Sequence, residues 1–325
     1  MKTARTPLVS CLLAIMVLVL LPSVSPAQKF LTKPMEFVVQ SAAGGGSDIM
    51  ARTMQAILEK EKILTHPMAV VNRAGGSGAI AFAYVNGKKG DPHVWLTATT
   101  SFLQTPLTAK SKFNYKDFTP LANLAYDDFL IVVRADSPYK NMKDLVAAAK
   151  KNPGGLRYGG SSAPGADSII AFLIEKETGI KFNYIPFKSG GEVMVALLGG
   201  HIDLASANPC EAMAQMEAKK VLVLGASTEK RLEGAPNIPT LKEQGINAIM
   251  RQFRSIAAPK DIPQEAVKYY EGVLKKLSEN KTWQEKYIKE NMLSTDFTGS
   301  AGTFKIWERE NAWFAKVMKE MGVIK

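Results

Sequence analysis

Two glycine-rich stretches hold the residues best suited to binding chemistry: Ser41-Ala42-Ala43-Gly44-Gly45-Gly46-Ser47-Asp48 and Gly75-Gly76-Ser77-Gly78. What they offer is main chain. Glycine has no Cβ, so a ligand can approach its amide closely. A strand that runs into glycines and then a helix leaves unpaired N–H groups at the positive end of the helix dipole, and that is an anion site. Ser47 and Asp48 are suited to capping the helix behind the first stretch, and Asp48 with Arg52, four residues on, fits a helix-surface ion pair.

Familiar phosphate loops do not fit. A nucleoside triphosphate loop ends in Gly-Lys-Ser/Thr, whereas Gly46 is followed by Ser47-Asp48, whose carboxylate would repel phosphates. Gly76-Ser77-Gly78-Ala79-Ile80-Ala81 matches the loose dinucleotide pattern, but the next apolar run, Val94 to Ala98, ends in Thr99-Thr100-Ser101 instead of an acid. The two turns therefore suit something smaller and less charged than a nucleotide. Catalytic constellations are equally absent from the sequence pattern. His66, His93 and His201 lie far apart without ligand spacing, no G-x-S-x-G elbow occurs, and Cys210 has no histidine near it in sequence. No metal and no cofactor are expected.

The elements that must position these turns alternate along the chain. Phe37-Val38-Val39 reads as a buried strand, and Met50, Met54, Ile57 and Leu58 mark one face of a following helix. Met68 to Asn72, the second glycine turn and a helix from Ala79 to Asn86 repeat the unit, and Val94 to Ala98 is a third strand. In open parallel sheets such strand-end turns face the ligand crevice. Beyond Phe129 to Val133 the alternation restarts. It places Gly159-Gly160-Ser161-Ser162-Ala163-Pro164-Gly165-Ala166-Asp167, then Phe187-Lys188-Ser189-Gly190-Gly191, then Ser206-Ala207-Asn208-Pro209 after strands of a second unit. Ser255 to Pro259 returns to the first unit, and two amphipathic helices, around Ala266 to Leu277 and Phe304 to Met321, should clad its sheet. A chain that crosses twice between two units makes a hinge.

Residues 1–27 have the form of an export signal: Lys2 and Arg5, an apolar core from Leu12 to Leu21, and small residues at Ser25 and Ala27. Its loss lowers the formal charge from +11 to +9, because it carries two basic residues and no acid. Cys210 then stands alone, so no disulfide within the chain is expected. The remaining lysines and arginines are scattered, without the dense runs or aromatic platforms of a nucleic-acid surface, and suit the gathering of small anions.

With these turns placed, the sequence resembles the periplasmic substrate-binding proteins of tripartite tricarboxylate transporters, the Bug or TctC-like family. The resemblance runs through Ala43 to Arg52, Asn72 to Gly78, Tyr184 to Gly191, Leu197 to Asp203 and Ile238 to Gly245, in order. It implies an α/β two-domain Venus-flytrap fold, each domain a mainly parallel sheet flanked by helices. The domains would be 28–133 with 254–325, and 134–253. It implies a monomeric receptor that captures a small organic acid and delivers it to a permease of one large and one small membrane subunit. A sensor partner in place of the permease is a second reading, and a hydrolytic enzyme a third. Carried over by position, the carboxylate clamp is Ser41, Ala42, Ala43, Gly44, Gly46, Ser47 and Asp48 with Gly75, Gly76, Ser77 and Gly78, supported by Thr99, Thr100 and Ser101. The distal side is Ser161, Ser162, Gly165, Asp167, Lys188, Ser189, Gly190 and Asn208. Asp167 reads either as a helix cap or as a partner for a ligand ammonium or hydroxyl, and Lys188 either as a solvated charge or as a ligand contact. The family commonly has proline at 40 and 43 and an aromatic residue at 41, where this chain has Gln40, Ala43 and Ser41. Losing that aromatic wall favours a polar or aliphatic acid over an aromatic one, unless Phe187 or Phe102 takes its place.

Overall fold

The structure is a computed structural model that describes residues 30–325 except Thr65, Lys110, Ser162, Ala163 and Lys188, so the expected export signal lies outside the described residues. In chain order the elements are β1 (Met35–Val39), α1 (Gly46–Lys60), β2 (Met68–Asn72), α2 (Ala79–Asn86), β3 (Val94–Ala98), α3 (Thr100–Thr108), β4 (Phe118–Asp128) and β5 (Leu130–Arg134). There follow α4 (Met142–Lys151), β6 (Arg157–Gly160), α5 (Ala166–Thr178), β7 (Asn183–Pro186), α6 (Gly190–Leu198), β8 (Leu204–Ala207), α7 (Pro209–Glu217) and β9 (Val221–Ala226). The chain closes with β10 (Arg251–Pro259), α8 (Gln264–Ser278), the short α9 (Lys281–Trp283), β11 (Ser294–Gly299) and α10 (Ser300–Glu320).

Two sheets result, ordered β11-β4-β10-β3-β1-β2 and β7-β6-β8-β5-β9. This is the two-domain α/β fold of periplasmic binding proteins, but its sheets are mixed where mainly parallel ones were expected. Parallel pairing joins β1 to β2 and β3, and β6 to β7 and β8, the strands linked through helices. Strands that arrive from elsewhere pair antiparallel: β10 with β3 and β4, β11 with β4, and β5 with β8 and β9. Those long returns free them from the crossover geometry that forces neighbours parallel.

Alternation along the strands divides the core. Phe37 and Val39 of β1 and Trp95 of β3 face α1 and α8, packing on Met50, Met54, Tyr270 and Leu274. Val38, Leu96 and Ala98 face the other way, onto Phe82, Phe102, Trp307 and Phe314 of α2, α3 and α10. In β5 the same period sends Ile131 and Val133 to one face, and Leu130 and Val132 to α6. The expected C-terminal helices thus clad opposite faces of the first sheet. Among the described residues no helix is long and apolar enough to cross a membrane.

The lobes are joined by two strand-like crossings that lie side by side. A single residue, Phe129, separates β4 from β5, and its carbonyl accepts from the Ser227 amide at 2.8 Å. The Ser227 carbonyl in turn accepts from Met250 at 3.2 Å, just before β10. Arg251 pairs with Asp128 at 2.5 and 3.0 Å beside this junction. The crossings are therefore held in register by main-chain bonds and one partly buried ion pair.

Candidate functional site

The helices α1, α2 and α3 begin where β1, β2 and β3 end, and no side chain caps any of the three. The Asp48 and Phe102 amides bond back to the Gly45 and Thr99 carbonyls at 2.9 Å, and the other first-turn donors have no side-chain cap. A cleft of about 650 Å³ opens there, within the usual size of small-molecule sites. It is lined in the first lobe by Gln40 and Ser41, by Ala74 to Gly78, and by Ser101, Gln104, Thr105 and Thr108 of α3. From the second lobe Ser161, Pro164 and Gly165 complete it. Strand-end loops of both lobes therefore meet across one space.

The second glycine loop explains its own composition. Gly75, Gly76, Ser77 and Gly78 have φ of +132°, +56°, +53° and +94°, a left-handed run that only glycine enters without strain. Ser77 is the exception, and its carbonyl is fixed by the Thr105 hydroxyl at 2.8 Å. A Cβ on Gly78 would lie 2.5 Å from the Phe82 ring.

The first loop is held from below. The buried carboxylate of Asp48 accepts from the Gly44 amide at 2.8 Å, from Asn72 at 2.9 Å and from Arg52 at 3.0 Å. Burial opposes its charge, but Arg52, the Gly44 amide and Asn72 outweigh burial and hold its pKa below the ordinary value. Asp48 is thus more than a surface partner of Arg52: it ties the loop to β2. Gln40 donates to Ser47 Oγ at 3.0 Å and to Thr99 Oγ1 at 3.3 Å, and its carbonyl oxygen accepts from Thr97. Arg254 from β10 reaches Ser47 Oγ at 3.3 Å and forms a buried ion pair with Asp127. A Cβ on Gly46 would stand 2.8 Å from that guanidinium, so Gly46 is required for close packing. Burial works against the Arg254 charge, yet the Asp127 carboxylate overcomes it and keeps the group firmly protonated.

The expected site residues divide accordingly. Ser41, Gly75, Gly76, Ser77, Gly78 and Ser101 line the cleft together with Ser161 and Gly165. Ala42, Ala43 and Gly44 are exposed at its rim, while Gly46, Ser47, Asp48 and Thr99 support it from beneath. Thr100 donates to Gln252 at 3.2 Å, toward the crossing. Asp167 is buried, accepting from the Ser161 amide and hydroxyl at 2.8 and 2.6 Å and from Ser206 at 2.5 Å, so it shapes the second-lobe loop. Ser189 caps α6, and Asn208 donates to the Asp128 carbonyl at 3.3 Å across the junction. Ser162 and Lys188 lie outside the described residues. Phe102 is in the core, against Phe82, Phe118 and Trp307, and supplies no aromatic wall.

Sequence reasoning missed Gln104, Thr105 and Thr108, although with Ser101 they sit at i, i+3, i+4 and i+7 of α3, a legible polar stripe. It also missed Arg254, for which no local signal exists, and Glu211. The Glu211 carboxylate accepts from the Asn208 amide at 3.2 Å and occupies the space beside Gly190 where a Cβ would stand. Crowding of that carboxyl by protein, then the charges of Asp167 and Asp127, pushes its pKa up to about 7. A second hollow of about 630 Å³ lies between α5 and α10, lined by Lys176, Glu177, Arg309, Glu310 and Trp313. No strand-end glycine loop reaches it, so the cleft is the better site.

Comparison with known proteins agrees with this geometry. Residues 50–322 match the model of the tripartite tricarboxylate transporter family receptor, TctC. A UPF0065 protein from the gbd 5'region of Cupriavidus necator is 32% identical over 276 residues, covering 84% of this chain and 83% of the relative. A TctC solute-binding protein from Polaromonas, solved without ligand, superposes with a TM-score of 0.75 at 28% identity, over 89% of this chain and 99% of that one. A protein of R. palustris solved with adipate shares the fold, with a TM-score of 0.81 at 24% identity over 90% and 98% of the two chains. On the strength of these matches, the chain belongs to the tripartite tricarboxylate transporter receptor family.

Proposed function

We propose that the protein is an exported, periplasmic solute receptor. It closes its two lobes on a small carboxylate and delivers it to a permease of one large and one small membrane subunit. One observation supports this reading: the loop that leads into the uncapped α1 and the uncapped starts of α2 and α3 border a single cleft, an arrangement in which main-chain donors would hold one anionic group. The paired crossings at Phe129 and Met250 supply the place where closure would bend the chain. Closure would exclude water and strengthen each hydrogen bond to the ligand. The adipate bound to the R. palustris protein is in keeping with small-carboxylate capture by this fold.

The receptor reading is preferred over an enzyme for a physical reason. Cys210 is the free cysteine of the described chain, and burial, with the charges of Asp127 and Glu211, pushes its thiol up to about 12. A nucleophilic cysteine needs the opposite shift. The test is a thermal-shift screen of the purified protein with aliphatic, hydroxylated, dicarboxylic and aromatic acids. A bound acid at 100 times its dissociation constant adds about 2.7 kcal/mol of stability and raises Tm accordingly. If nucleotides or divalent metals alone raise Tm, carboxylate capture is wrong. Deleting the neighbouring permease genes then separates delivery from sensing: loss of uptake supports delivery, and intact uptake with an altered response supports sensing.

A further inference from the structure

The α3 wall says which carboxylate. Its polar stripe turns toward the cleft while Phe102 and Leu103 enter the core. Two of its hydroxyls have their protons engaged within the protein. Thr105 Oγ1 donates to the Ser77 carbonyl at 2.8 Å, and Thr108 Oγ1 donates to the Gln104 carbonyl at 3.2 Å. What each still presents is a lone pair, which accepts from a ligand O–H and repels a carboxylate. The carboxamide nitrogen of Gln104, a residue only 5% exposed, has no hydrogen-bond partner among the described residues. The Ser41 hydroxyl at the other side of the cleft is likewise buried and unpartnered. Buried donors are costly to leave unpaired, so both point to ligand oxygens. No charged side chain stands among the described residues that line the cleft, so none of these residues offers a counter-ion to a second ligand charge, which is costly to strip of water.

We propose that the cleft selects a singly charged, polyhydroxylated carboxylate of the sugar-acid class, with Gln104 and Thr108 reading its hydroxyl groups. The inference rests on the carboxylate-capture reading and sharpens it: the glycine loops hold the charge, and α3 supplies the alternating donors and acceptors that a chain of hydroxyls matches.

Calorimetric titration of the purified protein with three six-carbon acids tests it: gluconate, hexanoate and adipate. Gluconate is expected to bind at least about tenfold more tightly than either of the others, the effect of one or two well-made hydrogen bonds. Gln104→Leu, which keeps the volume, should weaken gluconate about tenfold and leave hexanoate within about twofold. Thr108→Val, an isosteric change at a half-buried position, should weaken gluconate several-fold with the same indifference to hexanoate, and it decides the matter if Gln104→Leu does not fold. Hexanoate or adipate binding as tightly as gluconate overturns the selection and leaves carboxylate capture standing. Equal losses for gluconate and hexanoate in the variants overturn the assigned roles. Failure of every carboxylate to bind removes the underlying reading and this inference with it.

Discussion

The two lobes present different chemistry to the same cleft. In the first, α1, α2 and α3 begin without side-chain caps, and the polar side chains around them turn inward to brace the loops. In the second, α6 is capped by Ser189, and the amide at the start of α7 is occupied by Glu211. Its loop before α5 is tied down by Asp167. The first lobe thus starts its helices without side-chain caps, although the Gly44, Gly45 and Gly78 amides bond within their own loops, whereas the second lobe closes the starts of α6 and α7 with side chains. On the proposed reading, a site built this way would recognise charge with one lobe and use the other to complete the enclosure.

The largest test of this asymmetry is the buried ion pair under the first lobe. Arg254→Met leaves Asp127 buried without its counter-charge and should cost about 3–5 kcal/mol in urea unfolding. The second-lobe brace, changed by Asp167→Asn, should cost only about 1–3 kcal/mol, because hydroxyl and amide donors are lost there, not an ion pair. A reversed order would mean that the second lobe is the more rigidly built.

Binding should discriminate the lobes next. Gly76→Val places a branched side chain on a φ of +56° with its Cβ 3.2 Å from Ala79 Cβ, costing about 1–2 kcal/mol of stability and at least about tenfold in ligand affinity. Gly191→Ala, whose Cβ would meet nothing nearer than Ser189 Oγ at 3.9 Å, should change stability by no more than about 0.5 kcal/mol. Comparable affinity losses in the two would place the anion nearer the second lobe.

Dependence on pH should carry opposite signs. Asp48, with its pKa held below 3.8, contributes stability that is present above that value and lost as pH falls through its lowered pKa. Glu211, raised from 4.5 to about 7, contributes stability that is full below 4.5 and lost as pH rises through about 7. Thermal melts between pH 2 and 8 should therefore lose a downward component near neutrality in Glu211→Gln while the acid limb from Asp48, below pH 3.8, persists. An unchanged slope in that variant would place the Glu211 carboxyl in ordinary solvent. The smallest effect belongs to Lys176 and Glu320, an exposed pair at 2.7 Å that links α5 to α10; its double-mutant coupling should be about 0–1 kcal/mol.

Local pattern determined much of this. The apolar runs at Phe37 to Val39 and Val94 to Ala98 announce strands because both faces of each are buried, and the glycines at 75, 76 and 78 announce a left-handed turn because other residues resist positive φ. The face of α1 marked by Met50, Met54, Ile57 and Leu58 is the face that packs. Other features depended on partners remote in sequence. The 11-residue strand β4 and the edge strand β11 have mixed composition and gain their pairing only from β10 and from each other. Mixed rather than mainly parallel sheets follow from those same late returns.

The sequence by itself determined where main chain would be exposed, since glycine content and strand-to-helix order are local properties. Tertiary structure alone decided which side chains stand behind or across from that main chain. Arg254 lies 207 residues from Ser47 and touches it only because β10 returns beside β3. Gln104 and Glu211 acquired their surroundings in the same way, through neighbours that folding supplied: an unpaired donor beside a cleft, and a carboxyl against Gly190 that feels the charges of two other acids. Periodicity is set by bonds between successive residues, whereas burial and electrostatic environment are set by what the fold brings alongside.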